Sequence, residues 1–222
     1  MICAIIGDVG NWKTLSIVRN IKINKHKFAF TNFETKDLPN VIRLKKDDIV
    51  LKYEEKKEGQ KISRTKFRVN WEFWEDTQQK FKSYDIYLDE IHRIFPHRRG
   101  MSQFSICGIE WLTQIRKILN DGKNNIYFIS QALEHIDVSF RRLLYCIFYT
   151  QKIEKIDKNG NKQIYIKLYT FLTKNNVSAE QRFRMFISGY HSWSIPIRVI
   201  HANSYFKYYN TLQIVRGDGD YL

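Results

Sequence analysis

A short segment near the amino terminus has the residue types and the spacing of a phosphate-binding loop. Residues 7–14 read Gly-Asp-Val-Gly-Asn-Trp-Lys-Thr and follow the apolar run Ile2–Ile6. In this motif backbone N–H groups bind phosphates, the Lys reaches the β- and γ-phosphates, and the Thr hydroxyl binds Mg²⁺. The pattern G-x-x-x-x-G-K-[ST] is met except at its second Gly. We predict that a nucleoside triphosphate and Mg²⁺ bind at Gly7, Asp8, Val9, Gly10, Asn11, Trp12, Lys13 and Thr14.

A pair of carboxylates follows another apolar run. Tyr84–Leu88 has the composition of a buried strand, and Asp89 and Glu90 come directly after it. Beside a phosphate loop, the first carboxylate would hold Mg²⁺, directly or through water, and the second would polarise the attacking water. Acidic residues also end many strands at protein surfaces. Asp89 and Glu90 therefore indicate an ATPase site only in combination with the phosphate loop that precedes them in the sequence.

Two further polar positions are candidates for the same site. Gln131 follows the apolar run Asn125–Ser130, so it should lie at the carboxyl edge of the sheet, beside the γ-phosphate. There it could sense the phosphate or orient water, unless it is an ordinary polar strand end. An arginine from a neighbouring subunit can stabilise the transferring phosphoryl group. Arg98, Arg141 and Arg142 are candidates, with Arg141 favoured; the alternative for each is a solvated or DNA-facing charge.

The elements that must position these residues alternate between strands and helices. Alternation up to about residue 150 predicts an α/β fold with a central, mostly parallel sheet flanked by helices. Residues 1–150 should form this core, with an exposed charged insertion and hairpin at about 34–70. Residues 151–222 should add a β-leaning hairpin and an irregular extension on the same domain. Strands are predicted at Ile2–Ile6, 26–33, Tyr84–Leu88, Asn125–Ser130, 144–151 and 163–171, and helices after the loop and at 71–81, 105–119 and 136–143.

The net charge and the cysteines indicate what the protein binds and in which compartment it works. The formal net charge is +14, from 37 Lys and Arg against 23 Asp and Glu, which indicates a polyanionic partner: nucleic acid or an anionic membrane surface. A lysine-rich coding bias is the alternative. Cys3, Cys107 and Cys146 are isolated, so we expect buried thiols in a reducing compartment rather than disulfides or a metal site.

No segment of the sequence predicts insertion into a membrane. The longest strongly apolar stretch, at 143–149, is far shorter than the roughly 20 residues that a membrane helix needs. The amino terminus lacks a charged leader and a cleavage site. We therefore expect a soluble, intracellular protein.

Taken in order, these segments resemble the Zot-like P-loop proteins of the FtsK–HerA superfamily, which includes phage morphogenesis proteins and viral genome-packaging ATPases. The resemblance runs nearly end to end. It is carried by residues 1–14, 30–33 (FTNF), 88–92 (LDEIH) with 95–98 (FPHR), 111–116 (WLTQIR), 125–131 (NIYFISQ), 136–141 and 205–211 (YFKYYNT).

This resemblance implies a P-loop NTPase that hydrolyses ATP with Mg²⁺, assembles into a ring and acts on DNA or in virion assembly. Lys13 and Thr14 would bind phosphate and Mg²⁺, Asp89 would support the metal, Glu90 would activate water, and Gln131 would be the sensor. The expected function is an ATP-driven DNA translocase: a viral genome-packaging ATPase in a homo-oligomeric ring. It would bind DNA independently of sequence, meet capsid or other virion proteins, and work in the cytoplasm of the host cell or with the virion.

The sequence departs from the family pattern in two ways. Trp12 stands where the family has Gly, next to the phosphate-contacting Lys13. The membrane helix that filamentous-phage members usually carry is missing, which favours a soluble packaging motor over an extrusion protein. Trp12 motivates the main alternative, a degenerate P-loop scaffold or DNA-binding protein with little ATP turnover. A third reading, a kinase-like enzyme acting on a small substrate, fits Asp89-Glu90 and Gln131 less well.

Overall fold

The computed structural model describes residues 1–55, 64–95, 103–119, 123–190 and 193–209. Arg98, the tip of the predicted hairpin at 56–61 and the end of the family-like segment at 210–211 lie outside these ranges. The strands are β1 (Ile2–Ile6), β2 (Phe28–Thr31), β3 (Val41–Arg43), β4 (Val50–Glu55), β5 (Arg64–Val69), β6 (Tyr84–Leu88), β7 (Asn125–Ser130), β8 (Cys146–Ile156), β9 (Lys162–Leu172) and β10 (Ile197–His201).

Helices connect the strands and cover the sheet. The α-helices are α1 (Lys13–Ile23), α2 (Lys46–Ile49), α3 (Trp71–Lys80), α4 (Ile91–Ile94), α5 (Gln103–Ile118), α6 (Val138–Arg141) and α7 (Ala179–Ile187). Two short 3-10 helices span Leu133–His135 and Asn203–Tyr208.

Eight strands form one sheet in the order β10-β9-β8-β1-β7-β6-β2-β3. The six strands from β8 to β3 are parallel, and β9 and β10 add an antiparallel edge. The predicted α/β fold with a mostly parallel sheet and a β-leaning C-terminal part is therefore confirmed. The predicted hairpin in the charged insertion is also present, because β4 and β5 pair with each other apart from the main sheet.

Strand β1 lies at the centre of the sheet, and all five of its residues are buried. A parallel strand covered on both faces is expected to be apolar throughout. Ala4 and Ile6 face a large cluster that includes Trp74 and Trp111, whereas Ile5 faces a second cluster with Ile17 of α1. Two hydrophobic layers therefore hold β1, and the loop that leaves its carboxyl end starts from a rigid base.

Some predicted elements differ from the structure. The helix predicted at 136–143 is reduced to α6, because Asp137 has extended backbone geometry and caps the helix by accepting a hydrogen bond from the Ser139 N–H. The strand predicted at 26–33 is shorter, at β2. Helix α7 and strand β10 were not predicted; β10 pairs with β9, so the C-terminal part extends the main sheet.

The three cysteines are free and buried, as predicted, and Cys3 and Cys146 are register partners on adjacent strands. A hydrogen bond with Cys3, followed by burial, raises the pKa of Cys146 well above that of an ordinary thiol. Within the described ranges, each helix is too short or too polar to cross a membrane.

Candidate nucleotide-binding site

The carboxyl ends of three neighbouring parallel strands bring the predicted site residues to one edge of the sheet. β7 lies between β1 and β6, with Ile6 opposite Ser130 and Leu88 opposite Phe128. The loop after β1, Asp89 after β6 and Gln131 after β7 therefore emerge side by side. This edge is where open α/β sheets bind ligands.

The phosphate loop turns tightly between β1 and α1. A Cβ atom on Gly7 would lie 2.2 Å from Thr150 Oγ1 and 2.8 Å from the Thr150 carbonyl oxygen, so only Gly fits against β8. Gly10 has φ +78°, a left-handed value that Gly adopts at little cost. Trp12 precedes α1 with φ 56° and ψ 36°, also left-handed. A non-Gly residue there stores strain of about 1–2 kcal/mol.

Lys13 is buried and folds back over the loop. Its Nζ donates hydrogen bonds to the Gly7 carbonyl at 2.7 Å and to the Asp8 carbonyl at 3.1 Å. Burial lowers the pKa of Lys13, while the charges of Asp89 and Glu90 act in the opposite direction. The ammonium group is thus held at the mouth of the loop by weak carbonyl partners, where a phosphate would be a stronger one.

Thr14 and Asp89 meet in the way that a magnesium site requires. Thr14 Oγ1 donates a hydrogen bond to Asp89 Oδ2 at 2.8 Å, although 75 residues separate them in the chain. Burial raises the pKa of Asp89 to about 6, and the nearby Glu90 charge adds to this, while Thr14 and Lys13 counteract it. A buried carboxylate beside a hydroxyl is suited to a hard cation.

Asn32 is a candidate site residue that the residue chemistry did not single out, although it belongs to the family-like segment 30–33. It is fully buried, and its Nδ2 donates to the Asp89 carbonyl at 2.8 Å while its Oδ1 accepts from the Asp89 N–H at 2.7 Å. The signal in the sequence was a polar residue at the end of an apolar strand next to β6. Asn32 fixes the backbone that presents the Asp89 carboxylate.

Glu90 follows Asp89 in a left-handed conformation, with φ 51° and ψ 48°. The backbone N–H of Glu90 donates to Asp89 Oδ1 at 2.9 Å. Glu90 Oε2 lies 3.2 Å from His92 Nε2 and 3.9 Å from Arg93 Nε. Like Trp12, Glu90 is therefore a strained residue at the start of a helix that leaves the candidate site. Strain of this kind concentrates at functional sites.

Ser130 and Gln131 lie between the loop and the acidic pair. The Ser130 hydroxyl is buried and has no hydrogen-bond partner among the described residues. Gln131 is half-buried at the end of β7. The structure therefore places Gln131 where the sequence predicted, while its role as a sensor stays a prediction.

Arg141 is not brought to the site of its own chain. Its Nη1 forms an ion pair with Glu180 Oε1 of α7 at 2.9 Å. The chain continues from Arg141 into the start of β8, where the Tyr145 N–H donates to the Ile2 carbonyl at the opposite edge of the sheet. A role for Arg141 in a neighbouring subunit stays a prediction.

The Trp12 ring packs on the C-terminal part of the chain. It meets Phe206 edge to face, with ring centroids 4.8 Å apart and planes at 71°. Leu15, Ile166 and Ile200 form the buried cluster around these two rings. The position that the sequence marked as a departure from the motif is thus a hydrophobic anchor between the loop and the last described segment.

The residues present fit a magnesium–nucleotide complex. The loop leaves no room for a Cβ at Gly7, Lys13 is held at its mouth, and Thr14 and Asp89 supply the oxygen ligands that Mg²⁺ prefers. The orphaned Ser130 hydroxyl adds a buried polar atom at the same edge. A nucleotide triphosphate with Mg²⁺ would match this set of donors and charges.

Comparisons with known proteins bear on the fold. No protein-family model matches the sequence, and no curated protein matches it. Among solved structures, the N-terminal domain of zonular occludens toxin from Neisseria meningitidis matches with a TM-score of 0.52 and 16% identity, over 94% of this chain and 98% of that one. The genome-packaging NTPase B204 of Sulfolobus turreted icosahedral virus 2, in complex with ATP-gammaS, matches with a TM-score of 0.45 and 9% identity, over 88% and 95%.

The likeness to the toxin domain and the strand order define the class of fold. The chain has the α/β fold of a Zot-like P-loop NTPase, with the phosphate loop after its central strand. B204 of Sulfolobus turreted icosahedral virus, described as a DNA-packaging ATPase, gives a TM-score of 0.45 at 14% identity, over 88% of this chain and 95% of that one. The likeness to the toxin domain is the one that establishes the shared fold.

Proposed function

We propose that the protein hydrolyses ATP with Mg²⁺ and uses the energy to move DNA, as a genome-packaging ATPase in a homo-oligomeric ring. The observation that carries the enzymatic part is the hydrogen bond from Thr14 Oγ1 to Asp89 Oδ2 at 2.8 Å. It joins the phosphate loop of β1 to the acidic end of β6 in a nucleotide-binding fold. The packaging role and the setting, in the host-cell cytoplasm or with the virion, are what the sequence resemblance implies.

The chain's own residues divide the chemistry among them. The loop amides and Lys13 would bind the β- and γ-phosphates, and Thr14 and Asp89 would hold Mg²⁺. The bound metal neutralises phosphate charge. Glu90 would orient the attacking water and accept its proton, and Gln131, at the end of β7, would face the same water or the γ-phosphate. Glu90 can accept this proton only if its contact with His92 leaves one carboxylate oxygen available to the water.

The experiment is phosphate release from ATP by wild type, Glu90→Gln and Lys13→Ala. We expect Mg²⁺-dependent turnover in the wild type. Glu90→Gln should bind ATP with similar affinity and lose about a hundredfold or more in kcat, because general-base catalysis contributes factors of about 10²–10⁴. Lys13→Ala should lose binding. Turnover that survives Glu90→Gln unchanged would contradict the assigned mechanism.

A basic groove beside α1 is the surface that we propose for the DNA backbone. Lys22, Lys25 and Lys207 line it together with Tyr208 and the single acidic residue Asp37, in a space of about 360 Å³. Burial lowers the pKa of Lys22, and the neighbouring charges of Lys207 and Lys25 add to this effect. A phosphate would relieve that repulsion. Contacts to phosphates carry no sequence information, so binding would be independent of sequence.

Ring assembly would complete the site with an arginine from a neighbour. Arg141 is engaged with Glu180 in its own chain, and Arg142 of the same turn is exposed. A trans role for Arg141 therefore requires that this ion pair open at the subunit interface. Mixing Arg141→Ala subunits with Lys13→Ala subunits tests it: activity of the mixture above that of either variant supports complementation across an interface.

The second candidate function is a P-loop scaffold that binds virion components or DNA and has little ATP turnover. The left-handed φ of 56° at Trp12 favours it, because the phosphate-binding turn is strained at this position. Phosphate release by wild type and Trp12→Gly separates the two functions. Robust wild-type turnover excludes the scaffold. Turnover that is absent in the wild type and appears in Trp12→Gly supports it.

A further inference from the structure

Trp12 and the side chains around its ring are not used by the proposed mechanism. Trp12 is half-buried just before α1, and its ring packs on Phe206 with centroids 4.8 Å apart. Lys152 of β8 reaches over the indole, with its Nζ 5.9 Å from the ring centroid. Opposite Lys152 in the β8–β9 ladder lies the buried Ile166, which belongs to the same cluster as the two rings. We call Trp12, Phe206 and Lys152 the Trp12 corner.

Strand β8 runs past the phosphate loop and carries Lys152 beyond it. Its last residue paired with β1 is Tyr149, opposite Ile6, and the next residue, Thr150, lies directly against Gly7. Side chains two residues apart in a strand point to the same face and are separated by about 7 Å. Lys152 therefore follows Thr150 on the face that touches the loop. The Trp12 corner thus lies beside the phosphate loop, on the β8 side.

The order of the strands decides which part of a nucleotide would meet this corner. Strands β7 and β6 lie on one side of β1 and lead to Gln131, Asp89 and Glu90, whereas β8 and β9 lie on the other side. In the proposed mechanism the γ-phosphate faces Glu90 and Gln131. The α-phosphate is also negative, so it is disfavoured beside the two carboxylates and favoured near the Lys152 ammonium group. The α-phosphate and the nucleoside would therefore extend towards β8, where the Trp12 corner lies.

The chemistry of the corner suits a nucleoside. The indole N–H of Trp12 is buried and has no hydrogen-bond partner among the described residues. A buried donor without a partner is costly, and an oxygen or nitrogen acceptor of a nucleoside could satisfy it. Lys152 Nζ lies 2.5 Å from Glu154 Oε1, and Glu154 Oε2 also pairs with Lys162 Nζ at 2.8 Å. Glu154 would therefore keep a partner when Lys152 turns to a phosphate.

We propose that Trp12 and Lys152 are specificity residues for the nucleoside end of the bound nucleotide. The indole would contact the ribose and base, and the Lys152 ammonium group would bind the α-phosphate. The strained Trp12, with its φ of 56°, would then favour a nucleoside triphosphate over a bare polyphosphate. Glycine at the same position would relieve the strain and remove this contact. The inference rests on the proposed function, because it assumes that the loop binds a triphosphate.

The ratio of two affinities tests the role of Trp12. The probes are a non-hydrolysable ATP analogue and inorganic tripolyphosphate, which has the phosphates without the nucleoside, each titrated with Mg²⁺ by calorimetry. The wild type should prefer the analogue by about tenfold or more, because contact between a base and an aromatic side chain contributes roughly this factor. Trp12→Gly should keep its affinity for tripolyphosphate and lose most of this preference. Trp12→Phe retains a ring and should keep part of the preference.

Lys152→Ala and Lys155→Ala form a matched pair for the second residue, because both remove one positive charge from β8. Lys155 lies on the opposite face of the strand, with its Nζ 5.7 Å from the Tyr165 ring centroid. Lys152→Ala should weaken the binding of both probes about fivefold, the equivalent of one net hydrogen bond, and Lys155→Ala should leave both unchanged.

The outcomes separate this inference from the proposed function. A preference for the analogue that is unchanged in Trp12→Gly overturns the inference and leaves the proposed function standing. Equal affinity of the wild type for the two probes, or an equal loss in the two lysine variants, has the same consequence. Absence of binding of both probes to the wild type overturns the inference and the proposed function together.

Discussion

Asn32 and Asp89 are joined by two buried hydrogen bonds that run in opposite directions between one amide side chain and one backbone unit. The pair lies between β2 and β6 and holds the carboxyl end of β6 in a single orientation. Because Asp89 in turn accepts the Thr14 hydrogen bond, the position of Thr14 depends on a residue that is not itself expected to touch the nucleotide.

Replacing Asn32 by Ala should therefore affect stability and metal binding together. Loss of two buried partners leaves the Asp89 N–H and carbonyl unsatisfied, which costs about 2–4 kcal/mol in total. Urea denaturation measures the free energy of unfolding, and Mg²⁺ titration of analogue binding measures the site. Asn40→Ala is a matched control, since Asn40 also donates to a backbone carbonyl, that of Lys27, away from the site. Equal effects of both variants on Mg²⁺ binding would contradict the positioning role.

Gly7→Ala should destroy phosphate binding through a steric clash. The new Cβ would lie 2.2 Å from Thr150 Oγ1 and 2.8 Å from the Thr150 carbonyl oxygen, so β8 or the loop must shift. Thr150→Ala in the same chain removes the first clash only, so it should restore part of the nucleotide affinity. Gly160→Ala is the control without a clash: nothing lies within 4 Å of a Cβ there, although its left-handed φ of +80° adds a backbone strain that Gly7→Ala lacks. Normal nucleotide affinity in Gly7→Ala would show that the loop is not the binding site.

Asp89 should make the stability of the ligand-free protein depend on pH. Relative to Asp89→Asn, the wild type should gain stability as the pH falls from about 6 to 3.8. The pKa of Asp89 is raised from 3.8 to about 6, so the folded state binds the proton more tightly than the unfolded state. This contribution is fully present below pH 3.8 and is lost as the pH rises through about 6. The contribution of Asp89 to the free energy of unfolding should therefore change by roughly 3 kcal/mol between these two pH values. Urea denaturation in EDTA at several pH values, compared between wild type and Asp89→Asn, gives the difference directly. A difference that stays constant with pH would contradict it.

The basic groove should account for part of the salt dependence of DNA binding. Changing Lys22, Lys25 and Lys207 to Ala should weaken binding to unrelated DNA sequences alike. It should also reduce the slope of log affinity against log salt by up to about 2.7, at roughly 0.9 for each phosphate contact on duplex DNA. The control removes the same charge from the β8–β9 hairpin, at Lys155, Lys158 and Lys162. An equal loss in both triple variants would show that net charge, and not the groove, governs binding.

The sequence predicted where the candidate site residues lie in the fold better than it predicted the elements at the edges of the sheet. Three apolar runs, each followed by polar residues, were enough to place the phosphate loop, Asp89 and Gln131 at one edge, because parallel strands share the direction of their carboxyl ends. The elements at the edges of the sheet depend on pairing between strands that are distant in the sequence. In strand β10 the apolar residues Ile197 and Val199 lie on the exposed face. The sequence therefore lacks the alternation of apolar and polar residues that predicts an edge strand. Ile106 of α5 is 48% exposed, because the face of the helix that packs on the core runs through Cys107, Trp111 and Ile115.

The interpretation of Trp12 also depended on contacts that the sequence could not supply. A tryptophan at a glycine position of a loop predicts strain, and the φ of 56° confirms it. The compensating partner, Phe206, lies almost at the other end of the described chain. Periodicity and motif spacing describe neighbours in the sequence only. A contact between distant residues such as Trp12 and Phe206 can be identified only from the folded structure.

The central position of β1 has a consequence for synthesis of the chain. Strand β1 leaves the ribosome well before its partners β7 and β8, with which it pairs at residues 126–130 and 146–149. Contacts of such long sequence separation slow folding. Until β8 has emerged, the phosphate loop lacks Thr150 beneath Gly7, and until the last described residues arrive it lacks Phe206 beside Trp12. An amino-terminal fragment that ends before β8 would contain the whole motif and would not form the loop, so expression trials should retain the chain to Tyr209 or beyond.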